Sequence, residues 1–530
     1  MSKNLANTAR KTDSIIVMAE GNPGAEAELF KTITQSSGFE VGEIKRNFNS
    51  WSTLGIMYTL TATPTIIGYS LSVVIGVGGG PFFIFGYLLT LLLQGVVCAC
   101  LSELASAFPH ASGQVHWTTS LVPGRSGIRL AYFAGSFALA AWFFWNVGTG
   151  IFVSRILFSA VLMVRPDFDL QPYQIYLVYI SVLGVSHYLN TYGFHAYTWI
   201  MRKMVVALNL LTLTILISLL VRAAPKQSAR TVFVEVVNET GWSSTGLVFF
   251  LSLLPGITAM NGFDGAAHLA NEMDDPGRRV PQVMLGNLVL GGVVAFPMAI
   301  VYMFCVTNWE NLLTPFAGSS FTQLIYDSVD LLPLSMAITI ALAISSIIGV
   351  ACVTTTFSRT LQSFAEQRYF IGSPWLARLD KRNGAPGNAV LLSTVLSTLV
   401  GLLMLGNSTV LNAILGSAAI CFFCSYAIPI SCLLYQGRSR LPTNRYFGLG
   451  KFGLVLNWVA LLWMALMSVM LCFPQYVPVT ATLMNYTAPV CIGIALLAAA
   501  NWVLFARKHI LSSEHATQVT DLAGSRVSQS

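Results

Sequence analysis

Residues 246–281 decide the fold. They begin with an apolar helix candidate, Leu247-Val-Phe-Phe-Leu-Ser-Leu-Leu-Pro-Gly-Ile-Thr-Ala-Met, break at Asn261-Gly-Phe-Asp-Gly, and resume as Ala266-Ala-His-Leu-Ala-Asn-Glu-Met. Two glycines therefore bracket Asp264 in what should be the middle of a membrane span. A charge at that depth costs roughly 2.5–3.5 kcal/mol on insertion scales, and a glycine interruption frees backbone groups that need partners. Together they indicate a binding site on a discontinuous helix, as in secondary transporters.

The composition indicates a polytopic membrane protein. The chain has 530 residues, of which 55% are hydrophobic and 10% are charged, and its mean hydropathy is +0.67. Soluble domains carry about 25% charged residues. The net charge of +7 does not indicate nucleic-acid binding, because no basic cluster occurs with interleaved aromatic residues. The partner that this composition implies is the lipid bilayer.

Cysteine and glycine motifs indicate no cofactor. All nine cysteines lie in or beside apolar stretches, which favours small core residues over disulfides. Cys421 and Cys424 have a CxxC spacing, but no histidine or acidic ligand is near them in the sequence. The glycine-rich residues 76–81 lack the lysine of a phosphate-binding loop. We therefore expect neither a metal site nor a cofactor.

Twelve segments are long and apolar enough to cross a bilayer, which takes about 20 residues. The predicted spans are residues 54–75, 82–103, 130–163, 173–190, 200–221, 245–271, 282–306, 332–358, 388–406, 409–434, 453–474 and 482–506. The third is long enough to require a tilt. These spans divide the chain into an N-terminal tail (residues 1–50), a twelve-helix transporter domain (51–508) and a C-terminal tail (509–530).

The basic residues orient these spans. With the N-terminus placed in the cytoplasm, 24 of the 29 Lys and Arg residues fall in cytoplasmic segments. Arg165, Arg222, Lys226 and Arg230 fall outside, and Arg155 lies within the third span. Because cytoplasmic loops are enriched in Lys and Arg, both termini are predicted to be cytoplasmic.

One motif checks this orientation without using charge. Asn238-Glu-Thr is a glycosylation sequon, and it falls in the outside loop between the fifth and sixth spans. No cleavable signal peptide precedes the first span. We expect a multi-pass protein of the plasma membrane, with the vacuolar or another internal membrane as the alternative.

Asp264 is the one acidic residue placed well inside a predicted span. His268 follows it by four residues, so a resumed helix would bring the two to one face. The functional interpretation is that Asp264 attracts a cationic substrate or relays a proton, with His268 adjusting its ionisation and Asn261, Gly262 and Gly265 supplying freed backbone groups. The alternative is a structural pair that stabilises the break.

The first predicted span has its own irregularity, Tyr58-Thr-Leu-Thr-Ala-Thr-Pro-Thr. Pro64 removes an amide donor, and the hydroxyls of Thr61, Thr63 and Thr65 can cap freed carbonyls. Spans one and six begin two successive sets of five, so interruptions at both places indicate an inverted-repeat transporter. We predict that these four residues line the site, and an ordinary proline kink is the alternative.

Two tryptophans of the third span are further candidates. Trp142 and Trp145 would hold an ammonium group by cation–π attraction if they faced a cavity, and lipid-facing or core positions are the alternative. Arg155 near the outer end of this span could bind an anion or extend towards the membrane surface. His187 in the fourth span is interpreted as structural.

Four charged residues lie at predicted cytoplasmic span ends: Glu103, Glu272, Arg278 and Arg279. Opposite charges at the mouth of a central site would hold it closed and separate when it opens inward. We therefore predict that these four residues form gate pairs.

Three patches of the sequence carry a family resemblance. They are residues 78–81 (Gly-Gly-Gly-Pro), residues 102–117 (Ser-Glu-Leu-Ala-Ser-Ala-Phe-Pro-His-Ala-Ser-Gly-Gln-Val-His-Trp) and residues 262–281. Together they are similar to the fungal amino acid/choline permeases, which include choline and GABA permeases, within the amino acid–polyamine–organocation superfamily. The resemblance implies a five-plus-five inverted repeat with helices 1 and 6 broken, two peripheral helices, and proton-coupled movement of a small amine.

The sequence thus predicts an all-α polytopic membrane protein that is a secondary active transporter of a small amine: an amino acid, choline or a GABA-like compound. An exporter of an amine or alkaloid metabolite on the same fold is the alternative. A membrane-embedded enzyme would need a reactive histidine with a polar partner in a shared cavity, and a nutrient sensor a long folded tail. The sequence shows neither feature, so both are remote alternatives.

Overall fold

The computed structural model describes residues 49–380, 382, 384–405, 410–480 and 483–508. Apart from Asn49 and Ser50, the two predicted tails lie outside these residues. Throughout the described ranges the secondary structure is helical, and the only β pairing is an isolated antiparallel bridge between Val77 and Asn238. The predicted all-α fold class is confirmed.

The helices vary widely in length, and several of the predicted spans are made of short pieces. The α-helices of the described residues are α1 (Ser50–Thr61), α2 (Thr63–Tyr69), α3 (Leu71–Ile75), α4 (Gly79–Ala107), α5 (Gln114–Leu121), α6 (Gly124–Val164), α7 (Pro172–Asn190), α8 (Phe194–Arg222), α9 (Ala229–Phe233), α10 (Thr245–Leu251), α11 (Leu254–Met260), α12 (Gly265–His268), α13 (Pro276–Phe304), α14 (Trp309–Leu313), α15 (Ser320–Val329), α16 (Leu332–Glu366), α17 (Ser373–Leu376), α18 (Gly387–Gly401), α19 (Val410–Gln436), α20 (Gly453–Met470) and α21 (Thr487–Asn501). Ten helical stretches of this described part are long and apolar enough to span a membrane. The predicted first and fourth spans correspond to the interrupted α1–α3 and to α7, so the count of twelve stays a prediction.

The longest helix, α6, has 41 residues. At about 1.5 Å per residue it is roughly 60 Å long, about twice the hydrocarbon thickness of a bilayer. It must therefore tilt or extend beyond the membrane. The predicted third span began at residue 130 because Arg125 and Arg129 lower the local hydropathy. The helix itself begins six residues earlier, at Gly124.

The first predicted span is interrupted at Ala62. This residue has left-handed backbone angles (φ 36°, ψ 41°) and separates α1 from α2. Such a conformation costs a non-glycine residue roughly 1–2 kcal/mol, so the surrounding structure must impose it. Pro64 is the second residue of α2, where a helix does not need the amide that proline lacks. The predicted irregularity is present, but the chain turns at Ala62 and proline begins the next helix.

The predicted sixth span is interrupted as the sequence indicated. Helix α11 ends at Met260, Asn261 is extended (φ −74°, ψ 166°), and Gly262 has a φ of +84°. The short helix α12 starts after Asp264, which lies at its N-terminal boundary. Polar backbone and an acidic side chain are thus placed together within an otherwise apolar stretch.

The two breaks lie side by side in the bundle. The Thr63 hydroxyl donates to the carbonyl oxygen of Ala259 at 3.1 Å, joining the start of α2 to the end of α11. Helix α12 contacts α1, α13 and α16, while α6 packs along α16 and α19. Both interruptions are therefore enclosed by long helices, away from the lipid-facing surface.

Candidate functional site

The carboxylate of Asp264 is fully buried and is surrounded by four polar side chains. Its Oδ2 accepts from Gln114 Nε2 at 2.7 Å and lies 3.4 Å from Trp142 Nε1 and 3.3 Å from His268 Nε2. Its Oδ1 accepts from the Tyr426 hydroxyl at 2.6 Å. These partners lie on α5, α6, α12 and α19, so one carboxylate joins four separate elements of the fold.

Three of these partners are neutral hydrogen-bond donors, so they can satisfy an ionised carboxylate without adding a positive charge. A buried ionised carboxylate is strongly unfavourable unless hydrogen bonds satisfy it, and a bond to a charged group contributes about 1.5–3 kcal/mol. Gln114, Trp142 and Tyr426 supply such bonds without adding a positive charge. These three bonds therefore stabilise a negative charge on Asp264 without cancelling it.

His268 and Asp264 are placed so that they can share a proton. Its Nδ1 lies 3.0 Å from the carbonyl oxygen of Ala111. A carbonyl oxygen only accepts, so Nδ1 carries a hydrogen. The 3.3 Å contact between Nε2 and Oδ2 then requires one proton, either on the imidazole or on the carboxyl group, because two lone pairs would otherwise face each other. The pair can hold one exchangeable proton.

A loop between α4 and α5 positions two of these contacts. It carries Ala111, which accepts from His268, and it leads into Gln114 at the start of α5. Within the loop the backbone amide of Ser112 donates to His110 Nδ1 at 3.0 Å, which requires that nitrogen to be unprotonated. Burial, and secondarily the neighbouring His116, lowers the pKa of His110 to about 4. His110 therefore stays neutral near pH 7 and keeps this loop in place.

Aromatic rings form the wall beside the carboxylate. Trp142 meets Phe422 edge-on, with ring centroids 5.2 Å apart, and Trp145 meets the same ring at 6.2 Å. Phe263, within the second break, stacks on Tyr426 at 5.3 Å. Aromatic faces attract cations, so this wall complements the negative charge of the site. Trp142 contacts Asp264 directly, whereas Trp145 lies behind Phe422.

Both glycines of the second break lie against Trp142, and a side chain at either position would crowd the indole. A Cβ atom on Gly262 would lie 3.1 Å from Trp142 Cη2, and one on Gly265 would lie 3.1 Å from the same atom and from Met57 Cε. Gly262 also has a positive φ, which disfavours other residues. The glycines allow the indole to lie directly against the broken backbone.

The threonines of the first break satisfy the backbone of the breaks. The Thr61 hydroxyl donates to the carbonyl oxygen of Met57 at 3.0 Å, and Thr65 donates to that of Ala62 at 2.8 Å. Thr63 donates to Ala259, as described above. All three are buried near the second break. Their hydroxyl hydrogens are thus already used, but each oxygen can still accept a hydrogen bond.

A second polar pair lies on the other side of the break. Gln94 of α4 and Asn261 are both fully buried, and Gln94 Nε2 donates to Asn261 Oδ1 at 2.8 Å. Within the described residues, Gln94 Oε1 and Asn261 Nδ2 have no hydrogen-bond partner. The break therefore presents unused polar atoms in addition to Asp264.

Glu103 pairs with different arginines from those predicted. Its buried carboxylate accepts from Arg438 Nη2 at 2.8 Å and from Arg445 Nη2 at 3.1 Å, and the backbone amide of Leu449 donates to it at 2.9 Å. Neither of the predicted gate arginines, Arg278 and Arg279, is among these partners, and a gate role for the four residues stays a prediction. The true partners lie about 340 residues away in a loop, where charge alone could not identify them.

The other predicted gate pair also differs. Glu272 Oε1 accepts from Arg359 Nε of α16 at 2.6 Å. Arg279 instead donates to the Ser50 hydroxyl at 3.1 Å, and the Arg278 guanidinium lies over the Tyr446 ring at 5.2 Å. In the described part of the chain, neither arginine reaches Glu272 or Glu103. The two glutamates thus have arginine partners, but not the predicted ones.

The remaining candidates of the sequence lie away from Asp264. Arg155 lies beside Gly318, where a Cβ would be 3.1 Å from its Nη1. His187 Nδ1 is 3.3 Å from the Thr394 hydroxyl. Asn238, in the predicted glycosylation sequon, is exposed.

Sequence reasoning missed Gln114, Tyr426 and Gln94. Gln114 lies within the family-like patch at residues 102–117, so its position was visible although its role was not. Tyr426 and Gln94 lie in long, largely apolar helices, and their partners are 162 and 167 residues away. A glutamine within an apolar span was the available signal, because burying an amide is unfavourable without a partner.

Comparison with known proteins finds relatives that match over most of their length. The choline transporter of Saccharomyces cerevisiae is 29% identical over 475 residues, covering 89% of this chain and 83% of the relative. The swainsonine transporter swnT of Arthroderma benhamiae is 26% identical over 475 residues (88% and 92%). Amino-acid permease 2 of Neurospora crassa is 23% identical over 487 residues (90% and 88%).

A family model makes the assignment independently of any one relative. The model described as "Amino acid permease" matches residues 48–497, which include both broken helices and every partner of Asp264. Its members, like the relatives above, are named as transporters and not as enzymes. The chain belongs to the amino acid permease family of membrane transporters.

Proposed function

We propose that this protein is a secondary active transporter that carries a small amine, and that Asp264 holds the positive charge of the substrate or the coupling proton. The observation that carries this proposal is a fully buried carboxylate in one helix break, directly beside a second break. In surroundings of low dielectric such a charge attracts a cation strongly. Discontinuous helices around a central site are typical of secondary transporters.

The substrate class follows from the site and from the relatives. The aromatic wall of Trp142, Phe422 and Tyr426 suits an ammonium group, which is attracted to ring faces. The relative from Saccharomyces cerevisiae is named a choline transporter, and others are named amino-acid permeases. Choline, an amino acid or a GABA-like amine is therefore the substrate class we propose here.

Proton coupling is supported by the pair of Asp264 and His268. The 3.3 Å contact between Oδ2 and Nε2 can accommodate one proton, on either residue. A cationic substrate approaching Asp264 competes with that proton for the same negative charge. Coupling follows if the proton must leave or enter the pair for the substrate to bind.

The test is uptake in a yeast strain that lacks its own amine permeases. Radiolabelled choline, GABA and basic amino acids are offered with and without a protonophore. We expect one of them to be accumulated, the protonophore to prevent this, and Asp264→Asn to abolish it, because an amide keeps the shape of the carboxylate but not its charge.

The matched control is Asp327→Asn. Asp327 is a half-buried carboxylate on α15 that accepts from Asn311 and Gln323, far from both breaks in sequence. We expect it to transport like the wild type. Proton-dependent uptake that Asp264→Asn leaves unchanged would refute the central role of Asp264.

Export of an amine or alkaloid is the second candidate, because two relatives are named swnT transporters, one of them for swainsonine. Export predicts no accumulation of any offered amine despite wild-type protein at the cell surface, and faster loss of a preloaded amine.

We also propose that the protein is located in the plasma membrane. Tagged protein at an internal membrane would contradict this location.

A further inference from the structure

The amide pair of Gln94 and Asn261 leaves one hydrogen-bond donor and one acceptor unused, whichever way the two amides are oriented. As placed, Gln94 Nε2 donates to Asn261 Oδ1 at 2.8 Å, which leaves Gln94 Oε1 and Asn261 Nδ2 unused. If both amides are turned by 180°, Asn261 donates to Gln94 and leaves Gln94 Nε2 and Asn261 Oδ1 unused. In either case the pair keeps one unused acceptor and one unused donor.

These unused atoms are fully buried, so leaving them without hydrogen-bond partners is unfavourable. Both side chains are 0% exposed, and a buried polar atom without a partner costs about 1–3 kcal/mol. Among the described residues nothing meets this need. A site that keeps such atoms is suited to a ligand that supplies the missing bonds.

The pair lies next to the carboxylate. Asn261 is three residues before Asp264 in the same break, so their Cα atoms are at most about 11 Å apart. Gln94 lies on α4, which packs against α11, the helix that ends at this break. A small molecule with its cation at Asp264 can therefore reach the amide pair with a second group.

The chemistry of that second group follows from the pairing rules. A carboxylate only accepts, so it would face the unused amide oxygen unfavourably, and an ammonium only donates, so it would leave the unused N–H without a partner. A hydroxyl group both donates and accepts, so it is the single group that matches one unused donor together with one unused acceptor. An alkyl group satisfies neither.

We propose that the substrate is a hydroxylated amine, an amino alcohol in its simplest form, whose hydroxyl group binds between Gln94 and Asn261 while its cation faces Asp264. This inference rests on the proposed function and narrows its substrate class. It assigns Gln94 and Asn261 as specificity-determining residues, and it places an amine with a carboxylate as its second group among the weaker ligands.

The experiment compares substrates that differ only at this group. Uptake of labelled choline in the permease-deficient yeast is competed with unlabelled choline, ethyltrimethylammonium (hydrogen in place of the hydroxyl), O-methylcholine (no hydroxyl donor) and glycine betaine (carboxylate). Ethanolamine and ethylamine form a second pair for a primary amine. We expect each hydroxylated compound to compete about tenfold or more better than its counterpart, since a site built around a hydroxyl group rejects an analogue without it.

Two variants test whether the amide pair of Gln94 and Asn261 causes the preference for hydroxylated substrates. Gln94→Met keeps the length of the side chain without its amide, and Asn261→Leu removes the other half, so each should reduce the preference at least severalfold. The matched control is Thr90→Val, one turn before Gln94 on α4, where the buried hydroxyl donates to Gly86 within its own helix. It should keep the wild-type preference. The preference is a ratio, so reduced surface expression does not imitate the effect, and either variant suffices if the other fails to fold.

The outcomes separate this inference from the proposed function. Equal competition by hydroxylated and deoxygenated amines, or a wild-type preference in both Gln94→Met and Asn261→Leu, would overturn the inference and leave amine transport standing. Uptake of GABA but of no hydroxylated amine would likewise overturn the inference and leave amine transport standing. Absence of any amine transport, in either direction, would overturn the proposed function itself.

Discussion

Gly262 turns the chain at the point where the second helix break meets an indole ring. Its φ of +84° costs a residue with a side chain roughly 1–2 kcal/mol, and a Cβ there would lie 3.1 Å from Trp142. We expect Gly262→Ala to abolish uptake and to lower the melting temperature of the purified protein. Gly286→Ala, on α13 with no atom within 4 Å of the added Cβ, should change neither. Normal uptake by Gly262→Ala would mean that the break needs no close contact with Trp142.

Tyr426 is the donor to Oδ1 of Asp264, at 2.6 Å. Tyr426→Phe removes that bond and leaves one oxygen of a buried carboxylate without its partner, which corresponds to about 1.5–3 kcal/mol. We expect the initial rate of substrate uptake per surface molecule to fall at least tenfold. Tyr179→Phe removes an equally buried hydroxyl, bonded to the Ser397 carbonyl at 2.7 Å, and should preserve the rate. Equal rates in the two variants would show that Tyr426 serves packing alone.

The residues of the site differ in how far sequence could predict them. Asp264 and His268 were predictable, because a charge in an apolar span is costly and a four-residue spacing brings two side chains to one helix face. Gln114 and Tyr426 were not, because a neutral polar residue in a long chain carries no sign of its partner. Whether any of these residues binds a substrate stays a prediction.

At the scale of elements, residues 438–449 form a strap between α19 and α20. Arg438, Arg445 and Leu449 bind Glu103 of α4, and the backbone amide of Phe447 donates to Ser106 at 2.9 Å. The strap also contacts the start of α13, where the Tyr446 hydroxyl accepts from Gln282 and the Tyr446 ring lies under Arg278. We propose this strap as the contact that must change for the site to open at this end.

Glu103→Gln tests the contribution of the strap to stability. Removing one partner of a buried ion pair typically costs about 3–5 kcal/mol, and the lower end is expected here because the arginine side chains are 18% and 19% exposed. We expect a melting temperature several degrees lower in detergent. Glu235→Gln breaks the exposed pair with Arg230 and should change stability by less than about 1 kcal/mol. Similar melting temperatures for both variants would exclude the strap as a stabilising contact.

Long apolar elements were predictable, and short ones were not. Hydropathy identified α4, α6 and α13 because about 20 consecutive apolar residues have few alternatives in a membrane protein. It missed α5, an eight-residue helix whose role is to carry Gln114 to Asp264, because so short an element gives no periodic signal. The turn at Ala62 was also unpredictable, because alanine has no preference for a left-handed conformation and tertiary contacts impose it.

For the whole molecule, the excess of basic residues on one side predicts the orientation in the membrane. Arg278, Arg279, Arg438 and Arg445 all lie at the end of the bundle where Glu103 and Glu272 find their partners. Asn238 is exposed and pairs with Val77, two residues after the end of α3. If basic loops are cytoplasmic, the end with Asn238 faces outward.

This orientation can be tested on intact cells. We expect deglycosylation to increase the gel mobility of the wild-type protein but not of Asn238→Gln, and we expect epitope tags at both termini to be resistant to external protease until the membrane is permeabilised. Asn308→Gln is the matched control: it replaces an exposed asparagine of the predicted outside loop at residues 307–331 that is not in a sequon, so its mobility should shift like that of the wild type. A tag digested in intact cells would invert the predicted topology, because an even number of spans places both termini on one side. Digestion of one tag only would instead require an odd number of spans and would contradict the count of twelve.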